Sequence, residues 1–222
     1  MIFNLYFWAH IKIHHMKIDL RLIIVLFAIP AILTGQPFSG GIKSGLVASQ
    51  VAGDTYSGYN KAGIDAGVFI NLETSRKVSI NMEIAFVQKG SRNNENPDFP
   101  SSGQYLLRLN YVELPLVMQY KISPFKIEAG ISADFLLNYF EESNYQYIEL
   151  NEWRSVALNS IFGIQYQLND KWAVGIRSIN STSSIRKKAI PGNVRRYGNR
   201  FGQFNDALVI NLYYTILPSN KP

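Results

Sequence analysis

Apolar residues in this chain recur at every second position in runs of about ten, and this period fixes most of what it can fold into. Ile64, Ala66, Val68, Ile70 and Leu72 alternate with Gly63, Asp65, Gly67, Phe69 and Asn71. Ile80, Met82, Ile84 and Phe86 alternate with Ser79, Asn81, Glu83 and Ala85. Ile127 to Leu137 alternates with Lys126, Glu128, Gly130, Ser132, Asp134 and Leu136, and Val156 to Leu168 repeats the pattern against Ser155, Ala157, Asn159, Gly163 and Gln165. A period of two is the signature of a strand with unlike faces. About ten residues is the length a tilted strand needs to cross hydrocarbon, whereas strands of soluble domains average five or six. Beyond Gln36 no segment keeps a helical stripe, and no apolar run approaches the roughly 20 residues of a membrane helix.

Four weaker segments complete a set of eight: Gly40 to Val51, Tyr105 to Lys121, Lys171 to Ile179 and Ala207 to Leu217. The second of these contains Pro115, which cannot donate to a ladder and so is expected at a bulge or bend. The connections alternate in length. Glu73 to Lys77, Ile122 to Phe125 and Asn169-Asp170 are tight; Ala52 to Ser57, Lys89 to Gln104, Asn138 to Glu152 and Asn180 to Asp206 are longer and polar. Transmembrane barrels sort their connections this way, with tight periplasmic turns and extended external loops. The expected fold is therefore all-β, an eight-stranded antiparallel up-and-down transmembrane β-barrel, preceded by a cleavable signal peptide.

The N-terminal segment reads as processing signal. Lys17 and Arg21 precede the apolar run Leu22 to Leu33, and Thr34-Gly35 offers a small-residue cleavage zone before Gln36. Residues 1–15 read as an extension from a misassigned start, residues 16–35 as signal peptide and residues 36–222 as the barrel domain. A membrane helix beginning at Ile2 is the rival reading, interrupted by His10, Lys12, His14 and His15. Charged residues make up only 17% of the chain, against about a quarter in ordinary soluble domains, and aromatics 13%. With no cysteine there is no disulfide, thiolate metal site or Cys-linked lipid anchor.

In lipid every backbone group must pair within the protein, so the sheet must close, its apolar face outward and its polar face inward. An eight-stranded barrel is just wide enough for side chains to fill. The inward face is expected to carry Asp65, Glu83, Arg108, Glu128, Asp134 and Arg177, with Lys43 and Lys126 nearer the turns. Buried charges are tolerated only when paired. A salt-bridge network centred on Glu83, Glu128, Arg108 and Arg177 should therefore plug the lumen; a transport path is the alternative use of the same residues. Tyr120, Phe125, Tyr166, Trp172 and Tyr213 fall near the tight turns, and Tyr59, Phe86, Tyr105, Phe135 and Trp153 near the loops, as aromatic girdles would.

Two loops carry opposite charge. Asn138 to Glu152 holds Glu141, Glu142, Glu149 and Glu152 among Tyr139, Tyr145 and Tyr147. Asn180 to Asp206 holds Arg186, Lys187, Lys188, Arg195, Arg196 and Arg200. They either attract each other and order the barrel mouth, or grip an external partner such as lipopolysaccharide phosphates or an acidic polymer. The spacing of the acids lacks an EF-hand pattern, so no metal site is expected. The glycine pairs lie in strands without a strand-loop-helix context, so no phosphate loop is indicated.

The strand sequences resemble the PorT-like family of outer-membrane β-barrels of Bacteroidetes. The likeness runs through GIKSGL at Gly41 to Leu46, GIDAGVFINL at Gly63 to Leu72, EIAFVQKGSR at Glu83 to Arg92, LRLNYVELPLVMQYK at Leu107 to Lys121 and IEAGISADFLL at Ile127 to Leu137. It implies fold and location and names no ligand. One branch of that family serves a protein-secretion apparatus, and nothing in these motifs places the chain in that branch. Many such barrels end on an aromatic residue; here Pro218 to Pro222 follow the last strand.

All three histidines precede Met16, leaving no imidazole base for a hydroxyl nucleophile after processing. No catalytic residue, cofactor or metal ligand is assigned. The expected partners are the outer-membrane bilayer and, through the external loops, lipopolysaccharide or envelope proteins; no nucleic acid is expected, and the chain should be a monomer. A non-enzymatic envelope-structural or interaction barrel leads. A small transporter or narrow pore for hydrophilic solutes, and a soluble lipocalin-like barrel with an apolar interior, are the alternatives.

Overall fold

The computed structural model describes residues 38–56, 58–94, 103–149, 152–188, 194–196 and 200–218. The expected signal peptide and its cleavage point lie outside the described residues. The strands are β1 (Phe38–Ala52), β2 (Lys61–Glu73), β3 (Val78–Asn93), β4 (Tyr105–Ile122), β5 (Phe125–Ser143), β6 (Gln146–Tyr147), β7 (Val156–Gln167), β8 (Trp172–Ser181), β9 (Val194–Arg196), β10 (Arg200–Gly202) and β11 (Phe204–Leu217). The eight long strands pair antiparallel with their sequence neighbours, and β1 and β11 close the ring from Gly40↔Leu217 to Ala52↔Phe204. Closure leaves no sheet edge for lipid to meet. The short β6 lengthens the end of β5 into a hairpin, and β9 pairs with β10 in the long β8–β11 loop.

Alternation places odd-numbered residues of β1 to β4, β7, β8 and β11 inward and the apolar even-numbered ones outward. Leu46 is 71% exposed, Phe162 61% and Ile131 64%. Such a surface is far beyond the few hundred Å² of contiguous apolar patch a soluble monomer carries, but it matches hydrocarbon. The lipocalin-like alternative required the opposite arrangement and is overturned by this placement. At the tight-turn end Phe125 packs on Tyr166 and Trp172 on Tyr214. Tyr213, assigned to that girdle, instead points into the lumen at 2% exposure, and Tyr105 and Trp153 are likewise interior.

Strands reach further at the loop end than expected. The β3–β4 ladder continues to Asn93↔Tyr105 and the β4–β5 ladder to Tyr105↔Ser143. Pairing continues beyond the hydrocarbon because it satisfies backbone groups that water would otherwise have to serve. Pro115 keeps its register with Ser132; the bulge falls instead on β5, where Asn110 pairs with Asn138 but Tyr111 with Leu136. The extra residue, Leu137, switches the inward set of β5 from Glu128, Ser132 and Asp134 to Tyr139 and Glu141.

Candidate functional site: the lumen and the external loops

The lumen holds a connected set of buried ions. Arg177 on β8 donates from Nε and Nη2 to Glu128 on β5 at 2.6 and 3.1 Å, and from Nη1 and Nη2 to Glu83 on β3 at 2.9 and 2.8 Å. Lys43 on β1 lies 2.6 Å from Glu83 and 3.0 Å from Asp65 on β2, so five strands meet in one network. Gln119 donates to Glu128, and Asn211 to Asp65. Space for the guanidinium is left by Gly163, where a Cβ would stand 2.8 Å from Arg177 Cγ and 3.0 Å from Glu128 Oε2. A second group joins Lys89 to Asp134 at 2.7 Å and to Glu113 at 3.6 Å, with Ser132 donating to Glu113. The ion-paired side chains among these are at most 1% exposed.

Toward the loop end apolar side chains join the lumen lining, among buried Ser49, Lys89, Ser91 and Asn205. Val47, Val51, Val87, Leu107, Leu109, Tyr111, Trp153, Ala157, Ile161, Ile179, Ile185 and Val209 form one buried cluster. At the opposite end a cavity of about 420 Å³ opens at the tight turns, lined in part by Asn71, Ser79, Lys126, Gln167 and Thr215. That vestibule, the ion network and the apolar cluster follow one another through the barrel.

Of the residues expected inward, Asp65, Glu83, Glu128, Asp134 and Arg177 are buried there. Arg108 is not: it is exposed on the outer wall, and its assignment to the network is corrected. The 18-residue β4 is longer than a hydrocarbon crossing requires, so its upper part stands above the lipid, where an outward charge meets water. Lys43 takes the place given to Arg108. Lys89, expected in the β3–β4 loop, instead ends inside the lumen on β3, where Glu113 of β4 is one of its two carboxylate partners. Glu113 is signalled by its odd position on β4, two residues before Pro115, and Lys89 by its parity with Glu83. The apolar cluster was missed because β4 is apolar on both faces at Leu106, Leu107, Leu109, Val112 and Leu114.

The two charged loops meet. Arg186 is 4% exposed, donates to Glu141, Glu152 and Gln203, and lies with its guanidinium carbon 4.1 Å from the Trp153 ring centroid. Tyr105 donates its hydroxyl to the same Glu141. Arg196 forms a two-pronged pair with Asp206 at 2.6 and 2.7 Å. Glu141 and Arg186 are therefore buried in the barrel mouth and paired with each other. Lys187, Lys188 and Arg195 are exposed, as are Tyr145 at 73% and Tyr147 at 51%, while Glu142 is half-buried on β5. The side chain of Arg200 lies outside the described residues.

A closed ring with an apolar exterior and an ion-paired interior defines an integral membrane β-barrel. The chain belongs to the family described as "Outer membrane protein beta-barrel domain", which matches residues 35–184. It is a protein of the Gram-negative outer membrane; in such barrels the long loops lie outside and the tight turns in the periplasm. No curated protein matches the chain. Similar solved structures include Neisserial surface protein A, at 8% identity over 79% of this chain and 96% of that one, with a TM-score of 0.48. The attachment invasion locus protein Ail of Yersinia pestis is similar at 11% identity over 81% and 99%, TM-score 0.48, and OprG of Pseudomonas aeruginosa at 12% over 82% and 95%, TM-score 0.36.

Proposed function

We propose that this is a non-catalytic, non-conducting envelope barrel that works through its external surface. The observation carrying the reading is the succession inside the lumen: Lys43 and Arg177 shared among Asp65, Glu83 and Glu128 across five strands, then an apolar cluster from Val47 to Val209. A hydrated solute would have to break buried ion pairs and then cross apolar side chains, each step opposed by several kcal/mol, on the order of breaking a buried pair. Narrow-pore activity is the competing reading. Reconstituted in a planar bilayer, the protein should give no single-channel steps; discrete conductance would overturn the closed-barrel reading.

The exposed Tyr145, Tyr147, Lys188 and Arg195 supply the loop-borne contact surface for lipopolysaccharide or an envelope protein, and the protein acts as a monomer. Membership of the PorT-like family, a start at Met16 and cleavage after Gly35 belong to the same proposal. N-terminal sequencing of the mature protein should read from Gln36.

A further inference from the structure

The end of the lumen away from the loops is a cup. Its cavity of about 420 Å³ continues into an inner space of about 40 Å³, and Ser39, Asn71, Lys126, Gln167 and Thr215 line both. The larger volume falls within the range of small-molecule sites, about 300–1,000 Å³. The inner space holds about one water-sized group. The ion network is the floor: Asn81 donates to Glu83 at 2.5 Å, Gln119 donates to Glu128 at 2.6 Å, and the Tyr213 ring centroid lies 5.6 Å from the Arg177 guanidinium carbon.

Three polar atoms at this floor have no hydrogen-bond partner among the described residues. Asn71 and Asn81 stand opposite each other on β2 and β3, 6% and 2% exposed, and neither Oδ1 accepts a bond. The Tyr213 hydroxyl, on a residue 2% exposed, is likewise unpartnered, and all three residues line the inner space. Glu83 holds the Asn81 amide nitrogen, so Oδ1 is the atom this side chain turns to the cavity. Buried polar groups without partners are rare, and two carbonyl acceptors beside a hydroxyl require donors from the cup's occupant. Hydroxyl groups fit better than an ammonium, because the carboxylates behind the floor, Glu83 and Glu128, are already engaged by Arg177 and Lys43. The surrounding amides of Gln119, Gln165 and Gln167 both donate and accept, as hydroxyls do.

One cation stands within the cup. Lys126 is half-buried, faces Gln165 across the β5–β7 ladder and forms no ion pair among the described residues. Glu128, two residues along the same face, is taken by Arg177 and Gln119. The outer rim carries Arg76, Lys77 and Lys121 with Glu73 and Asp170.

We infer that this cup binds an acidic saccharide unit from the periplasmic side, the side that tight turns face in such barrels. Ring hydroxyls donate to Asn71 and Asn81 and meet the Tyr213 hydroxyl, while the carboxylate pairs with Lys126. The site lies at the end opposite the loop surface proposed above and needs neither that surface nor conduction.

The test uses the full folded barrel in detergent micelles and titration calorimetry. The probes are N-acetylmuramic acid, N-acetylglucosamine (the ring without the acid) and lactate (the acid without the ring). N-acetylmuramic acid should bind with a Kd of about 1 mM or below, and about tenfold more tightly than either part. N71A and Y213F should each weaken it about three- to tenfold, the loss of one hydrogen bond, while the unboiled protein keeps its fast migration. K126M should reduce its affinity to that of N-acetylglucosamine and leave N-acetylglucosamine binding unchanged. No saturable binding up to about 10 mM, equal affinity for all three probes, or unchanged binding by the three variants overturns the site. Co-sedimentation with cell-wall sacculi that excess free N-acetylmuramic acid abolishes identifies the saccharide as the end of a wall glycan. Calorimetric binding without co-sedimentation identifies it as a soluble sugar acid.

Discussion

Replacing Arg177 by Met removes the one group that joins β3, β5 and β8 inside the barrel. Four hydrogen bonds disappear, and two buried carboxylates lose a shared cation. Breaking a buried pair in this way costs about 3–5 kcal/mol. Glu83 keeps Lys43 and Asn81, and Glu128 keeps Gln119, so the loss should fall near the lower end, about 3 kcal/mol. With a urea dependence of roughly 2–3 kcal/mol per molar, the unfolding midpoint should drop by about 1–1.5 M. The assay is urea unfolding of the vesicle-embedded protein, followed by loss of the fast-migrating unboiled band. Arg108→Met is the built-in control, because an exposed residue without partners should shift stability by no more than about 0.5 kcal/mol. Adding Glu83→Gln and Glu128→Gln to Arg177→Met should restore much of the loss, since neutralising both sides removes the uncompensated charge. An unchanged midpoint for Arg177→Met, or equal losses at Arg177 and Arg108, would refute the network as a source of stability.

Two carboxylates, Glu113 and Asp134, share Lys89, so Glu113→Gln should leave stability unchanged or raise it by about 1 kcal/mol, whereas Lys89→Met should lower it by about 3 kcal/mol in the same urea assay. Arg186→Ala should free the β8–β11 loop from Glu141, Glu152 and Trp153, read as faster proteolysis between Thr182 and Gln203 with the barrel itself intact. Asp54, in the β1–β2 loop, has its carboxyl pushed above the usual range by burial, against hydrogen bonds from Ser91 and the Tyr56 amide. A raised folded-state pKa means that its stabilising share is complete below the unfolded value and is lost as pH rises through the folded one. Asp54→Asn should therefore flatten that decline, and a pH profile identical to the wild type would contradict the assignment.

The alternating pattern of Ile64 to Leu72 and Ile127 to Leu137, with the parity of loop lengths, settled the barrel, the strand count and which face meets lipid, because the period of two is a property of the chain itself. It also placed Glu83, Glu128 and Arg177 correctly, since each sits within a cleanly alternating or well-anchored run. It could not place Arg108 or Lys89. Both lie where strands continue beyond the hydrocarbon, and there the solvent stops enforcing which face is polar. Nor did local pattern reveal the bulge at Leu137 that turns Glu141 inward, or the apolar cluster built from β4, whose two faces look alike in sequence. Which cation meets which carboxylate was decided by the ring alone: Arg177 and Glu83 are 94 residues apart and face each other only because strands β3 and β8 stand on opposite sides of a closed barrel.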